Sequence, residues 1–425
     1  MLLRKILAYR HLLFLLILLN GESLFLTDDK KAGIPFLREL FLLGIIAATA
    51  LLFAGWKRVY QSKTSLWILF MGALLPVSSA VLANLNFGQP IAYGLLEERR
   101  FFAYLIFFPT LYLLIKASPT QAQLEKYFLI AGVFAATVGF LYYLKIIPEN
   151  AGVSFERNAI ELGENNLRPD RYRIGASYIT LCAFMLMYSM KNRVSLWKLV
   201  LLTYFAAYLW LVLQTRQTML IWTIAGIWIF RDRIDSLFKV ASLAVVLFVA
   251  SYYAFPEFYA LQWEKFNALL FEATSSPGVR DRTIAIILDA IAANNYFGMG
   301  ALSLQWNDGF ARVYNTHFFL SDVGIFGAYY RYGFLTPFIA LVFYVGYWRI
   351  LRKCPYKGPL LAAFQIQFAF LVFNMVLSNA LFFGGDMLGL SAALFLYYTK
   401  LAEADRKSTA NLDRVSYDTL QYRHN

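Results

Sequence analysis

Charge is what this sequence has least of. Asp, Glu, Lys and Arg together make up 15% of its 425 residues, where a soluble chain carries about 25%. That shortage excludes an ordinary soluble domain. Cysteine is nearly absent: Cys182 lies in an apolar run and Cys354 in a short basic loop, so neither a disulfide framework nor a cysteine metal cluster is implied. There is no P-loop, no glycine fingerprint of a dinucleotide fold, no HExxH and no GxSxG. No repeat relates the two halves of the chain, and no tract is of low complexity. Acidic pairs of the kind that hold a divalent ion are missing from the polar loops, so neither metal nor cofactor is expected.

What fills the sequence is apolar: 60% hydrophobic and 18% aromatic. The excess falls in runs of about 20 residues, the length that crosses a hydrocarbon core of about 30 Å. About twelve such spans can be placed, centred near Leu16, Ile46, Leu74, Phe107, Ala135, Cys182, Phe205, Ile224, Val246, Ala340, Phe370 and Ala392. The first is interrupted by Asn20-Gly21-Glu22. It has the charged start of a signal peptide but no small-x-small cleavage site after Leu19, and it reads as a retained span.

The connecting loops alternate in charge. Arg4, Lys5, Arg10, Lys57, Arg58, Lys63, Lys116, Lys126, Lys191, Arg193, Lys198, Arg231, Arg233, Lys239, Arg349, Arg352, Lys353, Lys357, Lys400, Arg406 and Lys407 all belong to one set of short loops and span ends. By the positive-inside rule that set is cytoplasmic, with both termini on the same side. The net charge of +13 is thereby a matter of topology; no basic soluble domain points to nucleic acid. The expected fold is an all-α polytopic membrane protein of about twelve transmembrane helices. One transmembrane domain covers 1–402, with periplasmic loops at about 146–173 and 256–317, and a polar cytoplasmic tail without fixed order covers 403–425.

The longest hydrophilic interruption runs from Ser275 to Gly333. Pro277-Gly278 breaks the chain, then Ile284, Ile287, Leu288 and Ile291 recur at helical spacing. Asn294-Asn295 ends this helix and Gly298-Met299-Gly300 follows as a turn. A short amphipathic helix between spans is expected to lie along the bilayer surface. Arg280 and Arg282 stand at its first turn, where free backbone N–H groups favour an anion; anchoring to lipid phosphates explains them equally well.

Further candidates are spread along the chain. Arg216 occupies a very short outer turn between two spans, where a guanidinium faces protein, a headgroup or a bound anion. His317 follows Tyr314-Asn315-Thr316; a packed interfacial ring is the plainer role, but imidazole can take a proton from a hydroxyl near neutral pH. Asp322 lies five residues on, and Arg331 either pairs with it or joins an anion site. Arg312 and Arg173 complete the outer cations of interest. Most of the outer Tyr and Trp residues form the usual aromatic belt.

Three of these pieces, in this order, resemble the O-antigen ligase and Wzy-type polysaccharide polymerase superfamily, over about Leu209 to Gly333. Gln214-Thr215-Arg216-Gln217 resembles the family's arginine at the head of a span, with Thr-Arg-Gln in place of Ser-Arg-Gly. Arg280 and, eighteen positions later, Gly298-Met299-Gly300 resemble its arginine, amphipathic helix and GxG turn, with Ile284 where an aromatic is usual. His317 with Leu320, Gly324 and Gly327 resembles its histidine segment, with Phe318 in place of the frequent Asn. The resemblance implies a metal-independent, inverting glycosyl transfer at the periplasmic face of the bacterial cytoplasmic membrane. The donor would be a glycan on undecaprenyl diphosphate, held by Arg216 and Arg280 with Arg282 as a substitute, and His317 would activate the acceptor hydroxyl. Asp322, Arg331, Arg312 and Arg173 are supporting candidates; a chain-length regulator is an implied partner. Ser321-Asp322-Val323-Gly324 favours a polymerase. Alternatives are a ligase to lipid A core, a twelve-span transporter and a lipid-linked peptidoglycan polymerase.

Overall fold

A computed structural model of the chain describes residues 2–26, 32–55, 62–149, 171–191, 193–260, 263, 277–315, 318, 320, 323–377 and 384–421. Among them the only strand pairing is an isolated bridge between Phe297 and Gly333, and about 79% of the structure is helical. The helices are α1 (Leu2–Asn20), α2 (Leu37–Gly55), α3 (Lys63–Phe87), α4 (Ile91–Glu97), α5 (Arg99–Ala117), α6 (Gln121–Tyr143), α7 (Ala176–Met190) and α8 (Leu196–Leu213). They continue with α9 (Arg216–Phe230), α10 (Ile234–Ala254), α11 (Pro277–Ala293), α12 (Gly309–Val313), α13 (Ile325–Tyr332), α14 (Thr336–Lys353), α15 (Pro359–Leu377) and α16 (Gly385–Gln421). All twelve expected span centres fall inside helices. Five helices among the described residues, α2, α3, α5, α6 and α8, are long and apolar enough to cross a membrane. The chain is therefore an all-α protein of membrane type.

The helix irregularities have local causes. In α3 a π turn at Phe70–Leu74 runs directly into Pro76, whose ring cannot donate to the ladder and displaces the carbonyl four residues back. α8 also finishes in a π turn, Leu209–Leu213, and Gln214 then takes φ +46 to stop the helix. The helix α16 runs on to Gln421. The expected irregular tail is thus helical as far as that residue; its Ala, Lys, Leu and Arg content is rich in helix formers.

At the centre stands α7. Tyr178 through Met187 are nearly all buried, as expected of a helix apolar on every side and wrapped by others. It packs against α6, α8, α9 and α15, while α16 packs against α5 and α14. Two sets of contacts define the two ends of this bundle. At one, Lys191 pairs with Asp232 at 2.9 Å, Gln121 reaches the Lys357 carbonyl and Tyr356 reaches Asp405. These are the ends that carry the short cationic loops. At the other, Asn20 reaches the Asp386 carbonyl, Gly175 N–H donates to Glu22, and Tyr172 N–H donates to Val212.

The segment from Pro277 to Gly333 folds onto that second end as a small satellite. Ile287 and Ile291 of α11 are fully buried in a cluster with Leu302, Phe310, Phe318, Leu320, Val323 and Tyr330. The apolar stripe expected to lie on lipid is thus covered by protein at Ile287 and Ile291, and Leu288 stays exposed. The Gly298-Met299-Gly300 turn threads between α3 and α13. Met299 and Gly300 donate to the carbonyls of Tyr330 and Arg331. The buried amide of Gln89 clamps the next residues, donating to Ala301 and accepting from Ser303 at 2.8 Å. Gly300 has φ +76, and a Cβ there would stand 2.3 Å from Ala83 N and Ser79 O. A side chain has neither the conformation nor the room.

Candidate functional site

The turn between α8 and α9 is built by the chain that enters α7. Arg171 donates through Nε to the Leu213 carbonyl at 3.1 Å and through Nη2 to Thr215 Oγ1 at 3.0 Å. Tyr172 N–H takes the Val212 carbonyl at 3.1 Å. Two carbonyls freed by the π turn are satisfied in this way. Tyr172 is itself held, its hydroxyl donating to Glu149 and receiving Lys145 Nζ at 3.1 Å. Burial first, and the Glu149 contact second, push the Tyr172 phenol up to about 12. Lys145 is raised chiefly by its bond to Glu149 and then by the bond to Tyr172.

Thr215 spends its hydroxyl on Leu213 and leaves α9 without a side-chain cap. The first helical residue is Arg216, a cation where the helix already presents its positive end. Its Nε and Nη2 are buried without a hydrogen-bond partner. A guanidinium and uncapped N–H groups in one place form a donor set suited to an oxyanion.

At the same end of the bundle lies a small open cleft of about 120 Å³. Its walls are Asn20 at the end of α1 and Glu22 just after it, the start of α2 (Arg38), the start of α5 (Arg100), Arg173, residues 175–178 and Asp386 of α16. Asn20, 1% exposed, donates through Nδ2 to Tyr178 Oη at 2.8 Å and to the Asp386 carbonyl at 3.4 Å. Arg38 stands 3.7 Å from the Asp386 carboxylate. Three guanidinium groups, from Arg38, Arg100 and Arg173, thus share one cavity with the carboxylates of Glu22 and Asp386.

The expected residues divide. Arg173 lines the cleft. Arg216 stands on the neighbouring turn, joined through Arg171 and Tyr172. Arg280 and Arg282 are exposed at the start of α11, and Arg312 is exposed at the end of α12. Arg331 is 5% exposed and bonded to Glu98 at 2.8 Å, which commits its charge to a structural pair. Glu98 also receives Ser79 Oγ at 2.6 Å. His317 and Asp322 lie outside the described residues, as do most of 146–173 and part of 256–317. Arg38 and Arg100 were missed by sequence reasoning, although Arg38-Glu39 and Glu98-Arg99-Arg100 are charges at span ends on the cation-poor side.

Fold and site together define an all-α protein of membrane type with an arginine-lined cleft at one end of its bundle. No family model, no curated protein and no solved structure matches the chain.

Proposed function

We propose that the protein is a glycosyltransferase of the bacterial cytoplasmic membrane that lengthens a glycan carried on undecaprenyl diphosphate, working at the periplasmic face. The observation that carries this reading is Arg216, whose Nε and Nη2 are buried without an acceptor at an uncapped helix start. A diphosphate satisfies both nitrogens and the first N–H groups of α9 at once. Burying that guanidinium with nothing to meet it would cost about 1–3 kcal/mol or more.

In this reading the acceptor hydroxyl oxygen attacks the anomeric carbon of the donor sugar from the face opposite the diphosphate. The bond to the diphosphate oxygen breaks, the hydroxyl proton passes to His317, and the lipid diphosphate leaves with its charge held by Arg216 and Arg280. Arg282 stands ready at the same helix start. The anomeric centre inverts. The surplus of cations on the other end of the bundle supports a periplasmic position for this end, with twelve spans and both termini cytoplasmic.

The test is the glycan profile of a deletion strain. Loss of all but one repeat unit on lipid A core is the expected result. Full-length glycan left on the undecaprenyl carrier would make the protein a ligase, and an unchanged profile would remove the reading.

A further inference from the structure

We propose that the turn after α11, which carries Tyr296 and Phe297, is seated in the bilayer and docks the satellite on lipid where headgroups meet acyl chains. The assignment rests on packing, exposure and backbone conformation, and takes nothing from the transferase reading.

Two apolar stripes lead to this turn. On α3, a helix long and apolar enough to cross a membrane, Leu74, Val77, Val81 and Leu85 are exposed at helical spacing. That stripe ends beside the turn, because Asn86, the next residue, donates through Nδ2 to the Gly298 carbonyl at 3.0 Å. On α14, Phe338, Leu341 and Val342 form a second exposed stripe, and Phe334 and Leu335 extend it ahead of the helix. Phe334 N–H donates to the Tyr296 carbonyl at 2.9 Å, and its ring meets that of Phe297 edge-on at 5.3 Å. Tyr296 is 59% exposed and Phe297 55%. The two rings thus continue the apolar surfaces of α3 and α14 past the helix ends. Exposed apolar surface of this extent marks a contact with protein or membrane, and continuity with the outer face of a span selects the membrane.

The backbone supplies a second observation. Asn295 and Tyr296 take φ +51 and +64. Asparagine enters the left-handed region readily, but a bulky aromatic residue seldom does, and glycine is the ordinary choice. Tyr296 nonetheless carries a large ring there. Among the described residues that ring makes no aromatic contact and its hydroxyl makes no hydrogen bond. The conformation therefore serves no packing within the protein. A bilayer offsets its cost, since tyrosine sets its ring among acyl chains and its hydroxyl among headgroups.

The turn is also held firmly. Tyr296 N–H donates to the Ile291 carbonyl at 2.8 Å. A Cβ on Gly298 would stand 2.2 Å from the Arg331 carbonyl oxygen, so the two backbones touch. With Ile287 and Ile291 covered by protein, Tyr296 and Phe297 are the most exposed aromatic rings among the described residues of the satellite.

The experiment uses the full chain in nanodiscs. Tyr296→Cys, Phe297→Cys, Leu341→Cys and Asn307→Cys each carry a nitroxide in a Cys354→Ser background; Cys182 is buried. Collision rates are measured with oxygen, which concentrates among acyl chains, and with a water-soluble nickel chelate. At positions 296 and 297 the ratio of oxygen to nickel collisions should approach that at Leu341 and exceed that at Asn307 severalfold. A ratio like that of Asn307 would put the turn in water and overturn the proposal. Low rates with both reagents would reveal a protein cover and overturn it equally. On the unsubstituted chain, a phosphatidylcholine bearing a diazirine high on its acyl chain should crosslink the peptide containing Tyr296 and Phe297. Absence of that peptide from the crosslinked products would also count against the proposal. These readouts involve no glycan, so failure of the transferase reading is told apart from failure of this one.

Discussion

Arg331 Nε lies 2.8 Å from Glu98 Oε1, with 6% and 3% of the two side chains exposed. This pair joins the GxG satellite to the start of α5, and Ser79 completes it from α3. Breaking a buried pair on one side strands the other charge and costs about 3–5 kcal/mol. Glu98→Gln should therefore lower the midpoint of detergent unfolding sharply. The double variant Glu98→Leu with Arg331→Met should recover most of the loss, because it removes both charges and keeps the volume. A double variant as unstable as the single one would show that the pair does more than hold the joint.

The latch on residues 171–175 should release in alkali. The folded-state value of the Tyr172 phenol, about 12, lies above its ordinary 10.0. The stability it adds is fully present below pH 10 and is lost as pH rises through about 12. Lys145 is also raised, so its share is present below the ordinary lysine range and fades above it; the two signs agree. Proteolysis near Arg171 should accelerate above pH 10 in the wild type. Tyr172→Phe should show that faster cleavage already at neutral pH. A wild-type rate that is flat across this window would remove the latch.

Orientation is open to direct labelling. Asn307 is exposed in the satellite, and Lys357 is exposed at the opposite end of the bundle. In cells with a permeabilised outer membrane, a thiol reagent that cannot cross the inner membrane should label Asn307→Cys and spare Lys357→Cys. The reverse pattern would overturn the topology.

The helices were legible because spans of about 20 apolar residues need little context. Ile46, Phe107 and Ala135 mark helices that the structure reproduces. Arg216 was legible because a guanidinium in a two-span turn has few places to go. The cleft was not. Asn20, Arg38, Arg100, Arg173 and Asp386 belong to five separate parts of the chain, and nothing in the local pattern of any one announces that they meet. The cover over α11 was hidden for a related reason. The i, i+3, i+4, i+7 pattern of Ile284, Ile287, Leu288 and Ile291 states that a face is apolar, without saying whether lipid or protein meets it. Arg331 looked free to bind an anion because its partner, Glu98, lies 233 positions away.

The central claim is tested most directly by the purified chain, lipid-linked repeat units and a gel that resolves glycan length. The account predicts a ladder from the wild type. His317→Ala should slow it by about 10²-fold or more, the usual loss of a general base, while a lipid-diphosphate analogue still binds. Arg216→Ala should lose both ladder and binding, and Arg216→Lys should recover part, since an ammonium cannot reproduce the forked contact. A wild-type ladder from both His317→Ala and Arg216→Ala, or no ladder from the wild type itself, would contradict it.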